Sequence, residues 1–249
     1  MKSTAIKAAR EAGKVLMKNY GKIKFIKTKE RNSFFTNVDL ESEKKVFSII
    51  RKKFPDHNIV SEESGSFDKK SEYTWYIDPL DGTHNYINNF PLFGVSVALA
   101  KNNIVKHGAI FLPYFNELYT AEKSKGAFLN GKRIKVSDKK NLEKSFVLTE
   151  LALRRETEKL RILSKIKDIV FDARVFGCAV FSHAYIAKGS ADIYITTKTN
   201  SWDIAAGFLL IEEANGKVTD FNNNPWKPKD GSYVASNKHL HNKILNALK

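Results

Sequence analysis

The sequence predicts a mixed α/β protein in which helices pack against sheets, and two features carry that prediction. Segments with the periodicity of amphipathic helices alternate with short apolar segments, most clearly in the second half of the chain. The chain also has 249 residues, of which 42% are hydrophobic and 12% aromatic, enough for one large core or two smaller ones. Six prolines and 13 glycines without a period exclude a largely disordered or collagen-like chain.

In the first half of the chain, hydrophobic periodicity predicts two helices followed by short strands. The helices are expected over 4–20 and 39–53. The strands are expected over 59–60, 73–77, 119–122 and 133–136, with a hairpin over 92–111 that turns at Lys101-Asn102-Asn103. Pro79 is expected to stop the strand that ends at Asp78, because proline cannot donate a hydrogen bond within a central strand.

The second half alternates between strands and helices, which favours helices layered on a sheet. The predicted strands are 145–149, 191–196, 217–220 and 233–235, and the predicted helices are 153–167, 178–188, 203–214 and 238–248. A polar run at 137–144 indicates a boundary between an N-terminal α+β subdomain, 1–140, and a C-terminal α/β subdomain, 141–249.

The charge balance is strongly basic, with 42 Lys and Arg against 27 Asp and Glu and a net charge of +15. Lysine is scattered along the chain, which favours a solvated surface over a nucleic-acid interface, where charge usually collects on one face. The single cysteine, Cys178, excludes an intrachain disulfide and a cysteine metal cluster. We see no signal peptide and no apolar stretch of membrane-spanning length, so we expect a soluble cytoplasmic protein.

The segment Trp75–Asn85 carries the strongest chemical signal in the sequence. Asp78 ends an apolar strand, and Asp81 follows within the next turn. Two carboxylates at this spacing can converge on a small volume, where they repel each other unless a cation lies between them. Mg²⁺ prefers a few carboxylates together with water and phosphate oxygens. Gly82 permits close approach of a ligand, and the N–H groups around Thr83 can bind phosphate.

Three further segments place acidic residues next to predicted elements. Glu62 lies in the loop 61–65 after a strand, Asp39 starts a helix within 36–39, and Asp203 starts another within 201–207. Taken singly, Glu62 is typical of a solvated loop, and the two aspartates are typical of helix N-caps. The occurrence of all four segments in this order in one chain favours a common site.

Together these segments resemble the inositol monophosphatase family, within the lithium-sensitive, Mg²⁺-dependent phosphatase superfamily. The resemblance spans roughly residues 5–248, and its most specific segments are Asp78-Pro79-Leu80-Asp81-Gly82-Thr83 and Trp202-Asp203-Ile204-Ala205-Ala206-Gly207. It implies a layered α/β/α/β/α sandwich of the inositol monophosphatase and fructose-1,6-bisphosphatase type. It also implies a homodimer.

The resemblance implies two to three Mg²⁺ ions as cofactors. Glu62, Asp78 and the backbone carbonyl of Leu80 would bind the first ion. Asp78, Asp81 and Asp203 would bind the second. A weaker third ion would lie by Glu62. On this prediction the N-terminal subdomain carries most of the metal ligands, and the C-terminal subdomain supplies Asp203 and the substrate-binding loops.

The resemblance also implies that Glu62, Asp39, Thr83 and Asp81 take part in catalysis. Thr83, oriented with help from Asp39, would hold the attacking water, so no covalent intermediate is expected. The residues that would contact the substrate are Leu80, Asp81, Gly82, Thr83, Gly177, Cys178, Ala179, Thr196 and Asp203. At Cys178 the contact would come through the backbone.

Position 196 departs from the inositol-preferring members, which carry an acidic residue seven positions before the motif aspartate. Thr196 cannot accept hydrogen bonds as a carboxylate does, and Lys198 adds positive charge nearby. The resemblance predicts a phosphomonoesterase that acts on a small polyol or sugar phosphate, such as inositol monophosphate. The departure at position 196 disfavours myo-inositol 1-phosphate as its best substrate. Histidinol phosphate and fructose 1,6-bisphosphate stay open as substrates.

A second class of function is a non-enzymatic basic protein that binds RNA or a transcription complex. The net charge of +15 suggests it, and the complete set of acidic residues disfavours it. We expect a small phosphorylated substrate as the main partner, and we expect no membrane partner.

Overall fold

Helices and strands alternate along the chain. The described residues of the computed structural model, 1–30, 33–151 and 157–249, form seven α-helices and fifteen β-strands. The helices are α1 (Lys2–Asn19), α2 (Asn37–Lys53), α3 (Thr83–Ile87), α4 (Thr157–Ile166), α5 (Ala179–Ala187), α6 (Ser201–Glu213) and α7 (Lys238–Leu248). The strands are β1 (Ile26–Glu30), β2 (Ser33–Thr36), β3 (Asn58–Ser61), β4 (Gly65–Phe67), β5 (Tyr73–Asp81), β6 (Gly94–Lys101), β7 (Ile104–Leu112), β8 (Glu117–Glu122), β9 (Gly126–Leu129), β10 (Lys132–Arg133), β11 (Phe146–Thr149), β12 (Asp172–Val175), β13 (Ile193–Thr199), β14 (Gly216–Asp220) and β15 (Gly231–Asn237).

Most strands belong to two sheets. The first has eight strands in the order β10-β9-β8-β7-β6-β5-β3-β4, and its neighbours are antiparallel except β3 and β5. The second has five strands in the order β12-β11-β13-β15-β14, and β11 runs parallel to both β12 and β13. β1 and β2 form a separate antiparallel hairpin.

The helices separate and cover these sheets. α1 and α2 pack on one face of the eight-stranded sheet, while α5 and α6 fill the space between the two sheets. α4 and α7 cover the outer face of the five-stranded sheet. The layers are therefore α/β/α/β/α, which confirms the predicted fold class. No helix within the described ranges is long and apolar enough to cross a bilayer.

The central helices approach their neighbours closely because small residues face them. A Cβ atom on Gly207 of α6 would lie 2.3 Å from Nδ1 of His183 in α5. A Cβ atom on Gly108 of β7 would lie 3.1 Å from Cα of Ala206. This close packing fixes α6, whose N-terminal turn carries Asp203.

Predictions that depend on local patterns agree with the structure. α7 has the predicted bounds, and the predicted hairpin appears as β6 and β7. Its turn residues Asn102 and Asn103 have φ angles of +48° and +60°, which asparagine tolerates. α4 accounts for the later part of the predicted helix 153–167, and residues 153–156 lie outside the described residues.

Several strand predictions are wrong in their bounds. The strand predicted over 191–196 is β13 (Ile193–Thr199), and two further differences have a clear physical reason. Only Lys132–Arg133 of the region 132–136 is strand, because the chain then leaves the sheet and the N–H of Val136 donates to the carbonyl of Ala214 at 2.9 Å. β5 does not end at Asp78 but continues to Asp81, with a shift of register between these two residues. Such a bulge accommodates a proline in a central strand.

The sequence prediction also misses several short elements. Each of them has five residues or fewer, too short for a clear hydrophobic period. They are β1, β2, β4, β9, β12 and α3.

Candidate active site

The bulge in β5 gathers the first candidate residues. Asp78 and Leu80 are buried, and the N–H of Leu80 donates to Oδ1 of Asp78 at 3.0 Å. Gly82 follows with a φ angle of +85°, and a Cβ atom there would lie 2.6 Å from the carbonyl oxygen of Leu92. Glycine is therefore required where the chain turns from β5 into α3.

Thr83 begins α3 and faces α2. Its Oγ1 lies 3.0 Å from the carbonyl oxygen of Leu80 and 3.3 Å from Oδ1 of Asp39. The other oxygen of Asp39, Oδ2, accepts hydrogen bonds from the N–H and the hydroxyl of Thr36, both at 2.7 Å. Thr36, rather than Asp39, is the N-cap of α2. One carboxylate oxygen thus stabilises the helix N-terminus while the other reaches Thr83.

Glu62 lies in the turn between β3 and β4. β3 and β5 are parallel and pair Ser61 with Ile77, so these strands run side by side into the turn and the bulge. The N–H of Glu62 extends this pairing by donating to the carbonyl oxygen of Ile77 at 3.2 Å. The parallel pairing therefore brings Glu62 beside Asp78.

Asp81 joins the eight-stranded sheet to the central helices. Its Oδ2 accepts the N–H of Val180 at 2.6 Å, and Sγ of Cys178 lies 3.3 Å from the same oxygen. The predicted substrate-contact residues Gly177, Cys178 and Ala179 thus lie at the start of α5, next to Asp81. Burial raises the pKa of the Cys178 thiol, which keeps it protonated.

Asn85 fixes this loop against α3, a role that the sequence analysis did not assign. Its Nδ2 donates to the carbonyl oxygen of Phe176 at 2.7 Å and to that of Leu92 at 2.8 Å. The signal available in the sequence was its place directly after the Gly82-Thr83 turn. The partners of Asn85 are too distant along the chain to be read from a local pattern.

Asp203 reaches the site from α6. It is the third residue of the helix, and the N-cap is Asn200 rather than Asp203. Its Oδ2 accepts the N–H of Asn200 at 3.2 Å and lies 3.3 Å from Oγ1 of Thr199. A capping box of this kind is local in sequence and holds the carboxylate at the helix start.

β13 leads into this end of α6 through an irregular turn. Thr196 is buried, and the pairing of β13 with β15 shifts register between Thr196 and Thr199. Lys198 lies inside this irregularity with a φ angle of +54°, and its side chain is exposed. A buried hydroxyl and a nearby lysine therefore lie where the family resemblance implies an acid in inositol-preferring members.

A buried carboxyl group that the sequence analysis missed follows β11. Oε1 of Glu150 accepts the hydroxyl of Ser182 at 2.6 Å, and Oε2 has no hydrogen-bond partner among the described residues. Burial raises the pKa of Glu150 to about 7, with the Asp81 carboxylate acting in the same direction and the Ser182 hydroxyl against it. Its burial depends on packing against α5, so no local pattern distinguishes it.

Four carboxylates, Glu62, Asp78, Asp81 and Asp203, form what we call the acidic cluster. Burial raises the pKa of Asp78 well above its ordinary value, and the other three acids raise it further. Burial also raises the pKa of Asp81 to about 6, against a hydrogen bond from Val180. Burial raises the pKa of Asp203 as well, with Asp81 and Glu62 acting in the same direction. These acids, from three separate segments, thus lie within electrostatic reach of one another.

The acidic cluster offers the donor chemistry of a hard divalent cation. All its side chains present oxygens, and a cation would offset the repulsion that helps to raise the pKa values of the three aspartates. In the described part of the chain, no three acidic, histidine or cysteine side chains already form a group that could hold a metal ion. Oδ2 of Asp81 and Oδ2 of Asp203 accept N–H groups from Val180 and Asn200 instead. An ion would therefore use other oxygens or displace these donors.

Comparison with known proteins identifies close relatives along the whole chain. A model described as the inositol monophosphatase family matches residues 1–249. A fructose-1,6-bisphosphatase/inositol-1-monophosphatase of Aquifex aeolicus is 40% identical over 247 residues, which are 97% of this chain and 92% of the relative. Nus factor SuhB of Pasteurella multocida is 35% identical over 254 residues, 100% of this chain and 95% of the relative. The solved inositol monophosphatase of Anabaena has a TM-score of 0.90 and 36% identity, covering 99% of this chain and 94% of that one.

Proposed function

Because this chain belongs to the inositol monophosphatase family, we propose that it is a Mg²⁺-dependent phosphomonoesterase that hydrolyses a small polyol or sugar phosphate. Family membership supports a phosphatase of the inositol monophosphatase and fructose-1,6-bisphosphatase superfamily. The observation that carries the finer proposal is the acidic cluster. Four buried or half-buried carboxylates that repel one another have a chemical reason to converge if they bind cations.

The acidic cluster and the carbonyl of Leu80 would hold two to three Mg²⁺ ions. Bound there, Mg²⁺ would neutralise the substrate dianion and lower the pKa of a water molecule. Glu62, Asp81 and Asp203 all raise the pKa of Asp78, so Asp78 lies within electrostatic reach of each of them. Asp78 would contribute to both main ions, the first held also by Glu62 and the second also by Asp81 and Asp203.

Thr83 and Asp39 would orient the attacking water. The Thr83 hydroxyl has one proton to donate, and a hydroxyl that donates it to Asp39 presents its lone pairs to a water O–H. Asp39 is suited to this because its second oxygen is already held by Thr36. The N–H groups of Gly82 and Thr83 would bind phosphate oxygens, so that side chains supply mainly positioning and charge.

The substrate side of the site would be formed by Gly177, Cys178, Ala179 and Thr196. A buried threonine hydroxyl has one proton to donate and two lone pairs, where a carboxylate carries a negative charge and about four acceptor sites, which favours substrates other than inositol monophosphate. Lys198 next to it favours a substrate with a second anionic group, such as fructose 1,6-bisphosphate. The name of the Aquifex relative combines both phosphatase activities.

A phosphate-release screen tests this proposal. The purified protein is assayed with Mg²⁺ on inositol 1-phosphate, fructose 1,6-bisphosphate, histidinol phosphate and 3′-phosphoadenosine 5′-phosphate. We expect release from at least one of the first three substrates, abolished by a chelator and restored by Mg²⁺. A Lys198→Gln variant should lose more activity on the bisphosphate than on the monophosphate. Absence of Mg²⁺-dependent release from every substrate would contradict the proposal.

A second candidate function is binding to RNA or a transcription complex. Two observations favour it, the net charge of +15 and the similarity to a relative named Nus factor SuhB. Titration of RNA binding against salt tests it, because contacts with phosphates give a steep decline of affinity with ionic strength. If binding is independent of the acidic cluster, an Asp78→Asn variant should bind RNA as tightly as the wild type.

A further inference from the structure

One face of α2 contacts every N-terminal segment of the acidic cluster. Asp39, Ser42 and Glu43 are three and four residues apart, so they lie on one side of the helix. All three are buried, with exposed fractions of 0%, 0% and 4%. Buried polar side chains at these positions are expensive unless they are hydrogen-bonded, so their partners are informative.

Glu43 closes the turn that carries Glu62. Its Oε1 accepts the hydroxyl of Ser61 at 2.6 Å and the N–H of Ser64 at 3.1 Å. Its Oε2 accepts the hydroxyl of Ser64. The two serines flank the turn on both sides, so this single carboxylate fixes the start and the end of the segment that presents Glu62.

Ser42 holds the second segment. Its hydroxyl donates to the carbonyl oxygen of Pro79 at 2.7 Å, within the bulge of β5 between Asp78 and Asp81. Neighbouring residues of one helical turn therefore hold the Glu62 turn and the β5 bulge at a fixed separation. An ion bound by Glu62 and Asp78 together would depend on that separation.

We propose that Glu43, assisted by Ser42, is a positioning residue that fixes the Glu62 turn relative to the β5 bulge and thereby sets the affinity of the site for its divalent cation. This inference rests on the proposed function for the identity of the cation. Neither residue would touch the substrate, so their effect should fall on cation binding and not on the chemical step at saturating Mg²⁺. Hydrogen-bonded groups behind metal ligands commonly change metal affinity 10–100-fold.

Four variants and two matched controls test the proposal. Glu43→Ala leaves the donors of Ser61 and Ser64 without their acceptor, whereas Glu43→Gln keeps one acceptor oxygen and is the milder change. Ser42→Ala removes the bond to Pro79, and Ser64→Ala removes one bond to Glu43 without changing α2. The controls are Glu41→Gln and Ser48→Ala, which make the same chemical changes at exposed positions of the same helix.

Two readouts are measured for each variant. The first is Mg²⁺ binding to the metal-free protein by titration calorimetry, with Mg²⁺ alone as the ligand. The second is the dependence of phosphate release on Mg²⁺, separated into the half-saturating concentration and kcat at saturation. We expect Glu43→Ala to weaken Mg²⁺ binding about 10-fold or more. Glu43→Gln, Ser42→Ala and Ser64→Ala should weaken it by less, with kcat within about threefold of wild type and both controls unchanged.

The outcomes separate this inference from the proposed function. Unchanged Mg²⁺ affinity in Glu43→Gln, Ser42→Ala and Ser64→Ala would overturn the inference even if melting temperatures fall, and so would a loss confined to kcat. If the wild type binds Mg²⁺ but hydrolyses no phosphate ester, the proposed function fails while the calorimetric comparison still decides the inference. If the wild type binds no Mg²⁺, both are overturned.

Discussion

The two halves of the chain hold the segments that carry their acids in different ways, although Asp78 itself also accepts the local N–H of Leu80. In the N-terminal half, the hydrogen bonds behind the cluster join residues 44 apart at Thr83 and Asp39, 37 apart at Ser42 and Pro79, and 18 apart at Ser61 and Glu43. In the C-terminal half, Asp203 is held by its own helix cap, through residues 3 and 4 positions away.

This difference predicts different sensitivities. A carboxylate on a segment that distant contacts hold depends on the packing of α2 against the sheet, so substitutions away from the site can disturb it. A carboxylate held by a capping box keeps its place as long as the helix begins at the same residue. The N-terminal acids should therefore be the more vulnerable to changes outside the cluster, and the following experiments sharpen or break that contrast.

The largest effect on activity is expected from a substitution of Asp78. Asp78→Asn should reduce phosphate release about a thousandfold or more, because metal ions contribute several kcal/mol of transition-state stabilisation. The fold should persist, since the change removes a buried charge that three carboxylates repel. Phosphate release and thermal melting measure the two effects. Asp56→Asn, an exposed substitution, is the control. An active Asp78→Asn protein would remove Asp78 from the site.

In the C-terminal half, the contact between α5 and α6 should be the most sensitive point. Gly207→Ala should reduce the free energy of unfolding by about 1–3 kcal/mol, because the added Cβ would lie 2.3 Å from Nδ1 of His183. Urea unfolding measures the loss. In a double-mutant cycle, His183→Ala should relieve much of it by removing the ring. A Gly207→Ala protein as stable as wild type would show that α6 is not held by this contact.

The same histidine should make stability depend on pH. Burial lowers the pKa of His183 to about 3, and neither ring nitrogen has a hydrogen-bond partner among the described residues. The folded state therefore keeps the ring neutral, while the unfolded state binds a proton below about pH 6.5. The contribution to stability is complete above that pH and is lost as the pH falls from about 6.5 toward 3.

A comparison with His183→Phe isolates this effect from other titrating groups. Between pH 7.5 and 5.5, the wild type should lose about 1.4 kcal/mol of unfolding free energy relative to the variant. Chemical unfolding at the two pH values measures the difference. A wild type and a variant with parallel pH profiles would show that His183 does not titrate in this way.

The smallest effect on stability is expected from a substitution of Asp203 in the capping box of α6. Asp203→Ala should be about 1 kcal/mol less stable than Asp203→Asn, because only in the alanine variant does the N–H of Asn200 lose its acceptor. Asp203→Asn keeps an acceptor oxygen, and both variants remove the same buried charge and should lose phosphatase activity. Thermal unfolding of the two variants side by side measures the cap alone. Equal stability of the two variants would contradict a local anchor for Asp203.

The contrast between local and distant contacts also explains how much of the structure could be predicted from the sequence. α7 and the turn at Asn102 and Asn103 depend on residues close in the chain, and the sequence locates them correctly. The layered fold followed from the family resemblance and is confirmed by the comparisons. Asp78 and Asp81 were selected from their spacing in a turn after an apolar strand, whereas Glu62 and Asp203 took their roles from the family resemblance. The role of all four as metal ligands stays a prediction.

What the sequence analysis missed depends on distant partners. Nothing near Glu43 indicates that it will close a turn 18–21 residues away, and nothing near Glu150 indicates that α5 will bury it. The prediction that β5 ends before Pro79 was wrong, because the strand continues through a bulge that depends on its pairing with β6. Packing decided each of these features, and packing is not visible in a local pattern.

The bond from Val180 to Asp81 bears on how the protein is synthesised. Its donor and acceptor are 99 residues apart. At about 5–20 residues per second, several seconds of synthesis therefore separate the addition of Asp81 from that of Val180. During that time the nascent sheet has neither α5 nor α6 to cover one of its faces. Competence for catalysis should therefore arise late in translation, and a growing chain that stalls before α5 emerges would expose apolar surface to chaperones.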